Sequence, residues 1–567
     1  VGLAQFSADG ADWSRFRGPN GSGISSDPAP APTTWSGAAN LKWKVALPGP
    51  GSSSPIVVGE RVFVTSWSGY GLSRENPGDQ AQLRRHLTCL DRETGATIWD
   101  KSVEPVLPED EYGGMFAEHG YASHSPVSDG EHVYVFFGKS GALAFDLDGK
   151  LLWQRGVGTE SDPHGWGSAS SPILYKNLLI VPATAESEAL VALDKATGEE
   201  VWRQEATGFN GVWGTPVLVE LADGEADLAM AVSGEMWGFD PATGKLRWYC
   251  KSPVPSSFSS SAIAHEGIVY AMESGPGGGG GIAVRAGGRG DVTDTHVEWT
   301  GSQANRIGTP LLVGGRIYTF SRGLANCFDA GDGGPVYRGR LKSSGAAPAG
   351  GGRGGFGGQD YSSPVAADGK IYFTSRGGDV YVLEEGEKFR QLAVNRVTDE
   401  AEDFSASPAI SNGEIFIRSS KYLYCIAQLA EGELQQQVDA ANRVDATTQE
   451  ASEPEEEPQR QRGGFGGGGF GGGGGGQFDP ASIFDRRDTN GDGKLEGQEL
   501  EGPFADRYQQ IDTDKDGAIS KAEFTGGIGQ LFRGGGGGRG GRGGRGGGFG
   551  GDARQGRPDR PARPELE

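Results

Sequence analysis

The sequence predicts an all-β propeller of eight four-stranded blades, closed by its own N-terminal strand and followed by a Gly-rich linker and a small α-helical module. Three observations predict it. A strand–turn–strand unit that ends on an aromatic residue recurs through residues 87–428. A Ser or Thr, mostly followed by Pro, opens every repeat. The last repeat lacks an outer strand, and residues 41–47 offer one from the other end of the chain.

The clearest copies of the unit are "LTCLDRETGATIW" (87–99), "ALAFDLDGKLLW" (142–153), "LVALDKATGEEVW" (190–202) and "MWGFDPATGKLRW" (236–248). Residues 282–299, 326–338 and 380–389 are degenerate copies, and "YLYCIA" (422–427) is half of one. Each full copy reads as two strands around a tight turn. The Asp bonds its own turn backbone, and Gly supplies the positive φ that the turn requires. A small residue precedes the turn at Cys89, Ala144, Ala192, Gly238, Ala283, Cys327, Val382 and Cys425, at steps of 43 to 55 residues. The openings fall at Ser54, Ser125, Ser171, Thr215, Ser261, Thr309, Ser363 and Ser407. After each comes a pair of alternating segments such as "PIVVGERVFVTS" (55–66), and period-2 alternation broken by turn residues means antiparallel strands. Four strands per repeat and eight repeats make a propeller. The aromatics Trp99, Trp153, Trp202, Trp248 and Trp299, continued by Tyr337 and Phe389, are expected to dock each blade on the next blade's turn. Trp43 in "LKWKVAL" (41–47) serves the half copy, and its strand leaves no open edge.

The predicted organisation is an N-terminal extension over 1–39, the propeller over 40–428, a linker over 429–480 that is first acidic and then Gly-rich, a paired calcium-binding module over 481–532, and an unstructured Arg/Gly/Pro-rich tail over 533–567. With 100 glycines in 567 residues, low-complexity segments must lie beside the folded ones. The linker and tail cannot bury enough apolar surface to fold. The module rests on "DTNGDGKLEGQE" (488–499) and "DTDKDGAISKAE" (512–523), which both match the EF-hand loop D-x-[DN]-x-[DN]-G-x₅-E. Oxygens at loop positions 1, 3 and 5, a backbone carbonyl at 7 and a bidentate Glu at 12 converge on calcium. These are Asp488, Asn490, Asp492, Lys494 (carbonyl) and Glu499, then Asp512, Asp514, Asp516, Ala518 (carbonyl) and Glu523, so two calcium ions are expected. Leu495 and Ile519 occupy position 8, where paired loops share a short β-contact. Only residues 500–511 separate the loops, so one short helix near 503–511 must serve both, and a structural or buffering role is expected.

The formal net charge of −23 excludes general binding to nucleic acid or an anionic membrane. The RGG-like tract at 533–551 does not reverse that, because the same composition recurs within the propeller at 350–359. No apolar run is long enough to span a membrane. "VGLAQFSADGADW" (1–13) reads as the tail of a secretory signal around Ala4 or Ala8, so a secreted or periplasmic protein is expected. Cys89, Cys250, Cys327 and Cys425 show no CxxC or adjacent pair, and three of them hold the repeat's small core position. Segments leading into the innermost strands carry rings and charge, which makes Tyr121, His124, His164, Trp166, Trp213, Phe258, Arg306, Tyr361 and Phe404 candidates for the channel mouth and a stacking site for a flat or sugar ligand. No His/Asp/Ser constellation is discernible.

The A-x-D-x-x-T-G-x-x-x-W pattern resembles the tryptophan-docking repeat of quinoprotein dehydrogenases, which hold pyrroloquinoline quinone in an eight-bladed propeller. It also resembles the propeller lipoprotein of the outer-membrane β-barrel assembly machinery. "DWSRFRGPNGSG" (12–23), "EHGYASHSPVSDGEHVYVFFG" (118–138) and "FSASPAISNGEIFIRSSKYLYCIA" (404–427) are similar to hallmarks of the planctomycete-type group of secreted quinone-binding-like propeller repeat proteins. The resemblance covers roughly residues 12–428 and implies fold more than activity. Two classes of function follow from it. One is a non-catalytic propeller that offers a face to a protein or carbohydrate partner and carries a tethered calcium module. The other is a quinone-dependent alcohol or sugar oxidoreductase. The resemblance implies that such enzymes carry adjacent cysteines over the quinone and a channel calcium held by Glu, Asn and Asp. Neither is recognisable in this sequence, so the quinone cofactor is not favoured.

Overall fold

The computed structural model describes residues 12–253, 259–275, 278–303, 305–345 and 359–430, with short stretches at 494–495, 515–516, 518–521, 523–524 and 562–567. Residues 1–453 and 557–567 form one compact unit, and 454–556 form a second.

The first unit is the eight-bladed propeller. Its third blade shows how the repeat builds one. Ile173–Tyr175, Leu178–Ala183, Ala189–Asp194 and Glu200–Glu205 form a four-stranded meander from the channel outwards. At the outer turn, Asp194 Oδ1 accepts from the Thr197 amide at 3.0 Å, and the Gly198 amide donates to the Asp194 carbonyl at 2.8 Å. Gly198 is demanded twice. Its φ is +73°, and a Cβ there would lie 2.6 Å from the indole of Trp153 in the preceding blade. A bulge follows the small residue, so Ala192 faces Trp202 whereas Leu193 faces Glu200.

The indoles of five docking tryptophans donate Nε1–H to a carbonyl in the next blade's turn. Trp43 reaches Arg92 at 2.8 Å, Trp99 reaches Leu147 at 3.0 Å, and Trp153 reaches Lys195 at 3.0 Å. Trp202 reaches Pro241 at 3.3 Å and Trp299 reaches Ala330 at 2.9 Å. Trp248 departs from the expectation. Its Nε1 donates to Asp227 Oδ2 of its own blade at 2.7 Å. The next blade's turn is longer and sends Gly290–Asp291 back to pair in parallel with Trp248 and Tyr249, so the docking position is already taken.

Closure is as the repeat count requires. Leu41–Ala46 pairs antiparallel with Tyr422–Ile426, with Trp43 opposite Cys425. The recurrence of Ser or Thr at the repeat openings has a direct cause. From Ser54 to Ser363 the backbone amide of each donates to the hydroxyl of the next around the channel: Ser54 to Ser125 (2.9 Å), Ser125 to Ser171 (2.9 Å), Ser171 to Thr215 (3.0 Å) and Thr215 to Ser261 (2.9 Å). Ser261 to Thr309 (3.1 Å), Thr309 to Ser363 (3.0 Å) and Ser363 to Ser407 (2.8 Å) continue the belt. One position per blade thereby satisfies a buried donor of its neighbour.

The four cysteines are buried free thiols. Burial pushes Cys89 and Cys250 up to about 12 and Cys327 to about 11, so each behaves as a small apolar side chain rather than a nucleophile.

The region 1–39, expected as an extension outside the propeller, is built into it from Asp12 onwards. The Ser128 amide donates to Ser14 O at 2.8 Å, and Trp13 exchanges backbone bonds with Val57 of the first blade. Asn20 reaches Leu218 O of the fourth blade at 3.3 Å, and Gly23 O accepts from Ala366 of the seventh at 2.7 Å. Arg17 is the anchor of this crossing. Its guanidinium donates to the carbonyls of Gly21, Ser22, Thr309, Pro310 and Pro364 at 2.8–3.2 Å, with no carboxylate among these partners. Burial lowers its pKa to about 9. Trp35 then stacks on Tyr372 with ring centroids 6.4 Å apart. Among the described residues no helix is long and apolar enough to cross a membrane.

In the second unit, Lys494–Leu495 pairs antiparallel with Ile519–Ser520, and Leu495 faces Ile519. This is the short contact expected at position 8 of the paired loops. Leu495, Ala518, Ile519 and Phe524 are buried.

Candidate functional site

The inner strands begin at a well of about 400 Å³ on the channel axis. Phe16 of the crossing segment lines it from below, and the hydroxyl belt forms its wall. Of the sequence candidates, Trp166, Trp213, Arg306 and Tyr361 line this well. Trp166 and Trp213 stack on one another, with centroids 4.8 Å apart and planes inclined by 26°. Two anchors hold the pair. Trp213 Nε1 donates to Gly167 O at 2.8 Å, and the Trp166 amide donates to Asp162 Oδ2 at 3.0 Å. The His164 ring lies 5.8 Å and 6.0 Å from the two indoles and is half-exposed beside them.

Arg306 Nε donates to Gln359 Oε1 at 2.7 Å. Arg376 lies 5.1 Å over the Tyr361 ring. The Tyr361 hydroxyl is buried without a hydrogen-bond partner among the described residues, and burial raises its pKa to about 12. It thus stays neutral, and Tyr361 contributes its ring to the wall of the well.

The remaining candidates are placed elsewhere. Tyr121 belongs to a buried aromatic cluster with Trp67, Tyr70 and Phe116, and its hydroxyl donates to Asp110 O at 2.5 Å. His124 is buried against Phe136 at 4.6 Å, and its Nε2 meets Ser168 Oγ at 2.7 Å. Burial and then the nearby Arg85 lower its pKa to about 3, so it stays neutral. Behind the well, Arg85 holds Glu109 through two bonds of 2.6 Å and 2.9 Å. The loop 104–125 sends Met115, His119, Ser123 and Ser125 into the well lining, whereas Tyr121 packs on Trp67 and Tyr70 of the first blade and His124 on Phe136 of the second; the sequence pattern carried only their nearness to an inner strand. Phe404 stacks on Tyr424 at 6.2 Å and lies outside the well lining. Phe258 lies outside the described residues.

Two functional groups escaped the sequence reading. Glu273 is the one carboxylate of the well lining among the described residues. It accepts from the amides of Ser260 at 2.8 Å and Ser259 at 3.2 Å, and burial pushes its pKa up to about 7. Its signal was a lone acid closing the apolar strand "IVYAMES". His119 bridges Ser123 Oγ (2.7 Å) and Trp166 O (2.6 Å), with both ring nitrogens engaged and its pKa lowered by burial. It positions the tryptophan pair and has no nitrogen left to ligate a metal.

The well therefore offers two aromatic faces, a guanidinium, a phenol and a carboxyl that takes or releases a proton near neutrality. The belt hydroxyls accept from backbone amides, and two other hydroxyls of the lining meet basic groups: Ser123 Oγ lies 2.7 Å from His119 Nδ1, and Ser405 donates to Asp403. Among the described residues the well lining holds one carboxylate, Glu273, where the resemblance implies a channel calcium set of Glu, Asn and Asp. Among the described residues no three His, Cys, Asp or Glu side chains form a metal-holding group, and the cysteines lie on separate blades. No step through such a cofactor is derived.

Of the calcium-loop residues, Asp516 Oδ1 accepts from the Ala518 amide at 2.9 Å, and Glu523 Oε2 accepts from the Ser520 amide at 3.0 Å. Lys494 Nζ pairs with Asp516 Oδ2 at 2.9 Å. Asp488, Asn490, Asp492, Glu499, Asp512 and Asp514 lie outside the described residues. The local turn at Ala518 and the paired position-8 residues fit an EF-hand pair.

Comparison with known proteins agrees with this architecture. An EF-hand family model matches residues 481–505 and 509–526. A polyvinylalcohol dehydrogenase of a Pseudomonas species is 25% identical over 256 residues, which is 41% of this chain and 34% of that protein. The corresponding protein of Sphingopyxis sp. (strain 113P3) is 23% identical over 253 residues, 37% of this chain and 34% of the relative. The chain thus spans about a third of the length of these curated relatives. Among solved structures, a europium-containing methanol dehydrogenase aligns with a TM-score of 0.43 at 12% identity, covering 75% of this chain and 99% of that one. BamB from Moraxella catarrhalis aligns with a TM-score of 0.31 at 14% identity, covering 68% and 97%. One family model, described as outer membrane protein assembly factor BamB, matches residues 80–187 and 183–387. That match takes in more than half of the sequence, and the chain belongs to this family of propellers.

Proposed function

We propose that the propeller is a non-catalytic binding protein whose well takes a flat or sugar-like ring, with a tethered module that holds calcium. The observation that carries the reading is the Trp166–Trp213 pair, stacked at 4.8 Å in the lining of a well shared with Tyr361, Arg306 and Glu273. Aromatic faces with a few convergent polar groups are what ring ligands require. The Glu273 carboxyl and Arg306 would fix the ring's polar edge. Calcium would be held in each loop, by Asp488, Asn490, Asp492, the Lys494 carbonyl and Glu499, and by Asp512, Asp514, Asp516, the Ala518 carbonyl and Glu523. Its chemistry there is cross-linking of acidic loops rather than catalysis. A secreted or periplasmic setting is consistent with the family's outer-membrane description.

The test is a fluorescence titration of the full chain with a panel of mono- and oligosaccharides and planar aromatic acids. A ligand of the well should change the tryptophan emission saturably, and Trp213→Ala should weaken it by about tenfold, the order expected when a stacking face worth 1–3 kcal/mol is lost. A panel without any saturable response, or a response unchanged in Trp213→Ala, would overturn the assignment of the well.

A further inference from the structure

The tail was expected to be without structure throughout, yet its last described residues lie on the propeller. Ala562 O accepts from the Gly208 amide at 3.0 Å. Arg563 spreads its guanidinium 3.5 Å over the Tyr249 ring and pairs with both oxygens of Glu235. Pro564 is buried. Leu566 forms a parallel bridge with Leu246, and the Glu567 amide donates to Leu246 O at 2.9 Å. The Glu567 carboxylate lies 3.5 Å from Arg247 Nε. The segment occupies the outer edge of the fourth blade, on the strand Leu246–Lys251 whose further half is covered by Gly290–Asp291.

We infer that this edge is a peptide-binding site for an Arg-Pro-x-x-acid segment, filled in the protein by its own residues 563–567. The recognition is strand addition at a sheet edge, where backbone bonds give affinity and side-chain sites give selectivity. Glu235 and Tyr249 form the site for the arginine. Trp237 Nε1 donates to Glu235 Oε2 at 2.6 Å and holds the carboxylate in place. Gly208 admits the backbone, since a Cβ there would lie 2.7 Å from Ala562 O and 2.4 Å from the Trp237 ring. Bulky aromatic and cationic groups on this one blade are thus arranged around a foreign strand. The strap also covers an edge that would otherwise invite pairing with another chain.

The test uses the full chain and a fluorescent peptide of residues 557–567. A released variant, Arg563→Glu with Leu566→Asp, empties the site while leaving the blade unchanged. Polarisation should show the peptide binding the released chain at least about tenfold more tightly than the native chain, whose tethered segment competes at high effective concentration. Adding Glu235→Gln to the released chain should abolish that binding. Equal binding by native and released chains, or no binding by a released chain that melts like the native one, would overturn the inference. So would native association that rises with concentration and vanishes in the released variant, since the segment would then dock between copies. Hydrogen exchange on the native chain is a check without any variant. The amides of Gly208 and Glu567 should be protected, and exchange at the free-peptide rate would equally defeat the proposal.

Discussion

Replacing Thr215 by Val tests whether the hydroxyl belt holds neighbouring blades together. Thr215 Oγ1 accepts from the Ser171 amide at 3.0 Å, and both residues are buried. Valine keeps the shape of threonine but removes the acceptor. The Ser171 N–H is then left without its partner in the buried wall of the well, which costs about 1–3 kcal/mol. Serine keeps the hydroxyl and loses only a methyl group, which costs about 1 kcal/mol or less. The two variants therefore separate the hydrogen bond from the packing. Amide exchange at Ser171 reads the effect locally, and a loss of 1–3 kcal/mol corresponds to exchange faster by about 5- to 150-fold. Guanidinium unfolding reads it globally, with the midpoint of Thr215→Val below that of Thr215→Ser. The reasoning is refuted if the two variants exchange and unfold alike, because the belt hydroxyl would then contribute nothing beyond its volume.

Trp43→Ala should destabilise the propeller by about 3–5 kcal/mol, since it removes both a buried indole and the bond to Arg92 O that joins the first blade to the closing strand; an unchanged melting temperature would contradict closure at this point. Burial holds Glu186 up at about 7, above its unfolded value near 4.5, so the folded state keeps a proton that the unfolded chain has released, and stability falls as pH rises through that window. Glu186→Gln should therefore gain melting temperature over the native chain between about pH 5 and pH 8, whereas a pH-independent difference would count against the assignment. Calorimetry of the full chain should show two calcium sites with affinities of about 10⁻⁵ to 10⁻³ M. Glu499→Gln with Glu523→Gln should abolish them, and binding that survives this pair would move the calcium elsewhere.

The fold was legible because every blade repeats the same local solutions. A turn needing Asp and Gly, a small residue at the bulge and an indole for the next turn recur in register, and each has a physical reason visible in the chain itself. Trp248 escaped because its environment is set by a long turn in the following blade, which no pattern at residue 248 reveals. The belt was visible as a repeated Ser or Thr, but its role depends on residues 44 to 71 positions apart meeting across the channel. The well was half legible. Trp166, Trp213, Arg306 and Tyr361 precede inner strands and point to the axis, as their positions suggested. Tyr121 and His124 share that spacing, yet burial with Arg85 and Glu109 draws them behind the wall. Arg17 and Phe16 were hidden because a segment that crosses five other blades carries no periodicity of its own. Residues 562–567 were masked by the composition around them, although Arg563, Pro564 and Leu566 differ in kind from the Gly-rich tract that precedes them.

The central claim is that the well binds a ring without performing quinone-dependent oxidation. The most direct measurement incubates the full chain with pyrroloquinoline quinone and calcium, then supplies alcohols or sugars with an electron-accepting dye, while tryptophan emission is followed in parallel. The account predicts no dye reduction that depends on the quinone, together with a saturable emission change on ring binding that weakens in Trp213→Ala. Dye reduction that requires both quinone and substrate, and disappears in Glu273→Gln, would contradict it and make the well an oxidoreductase site.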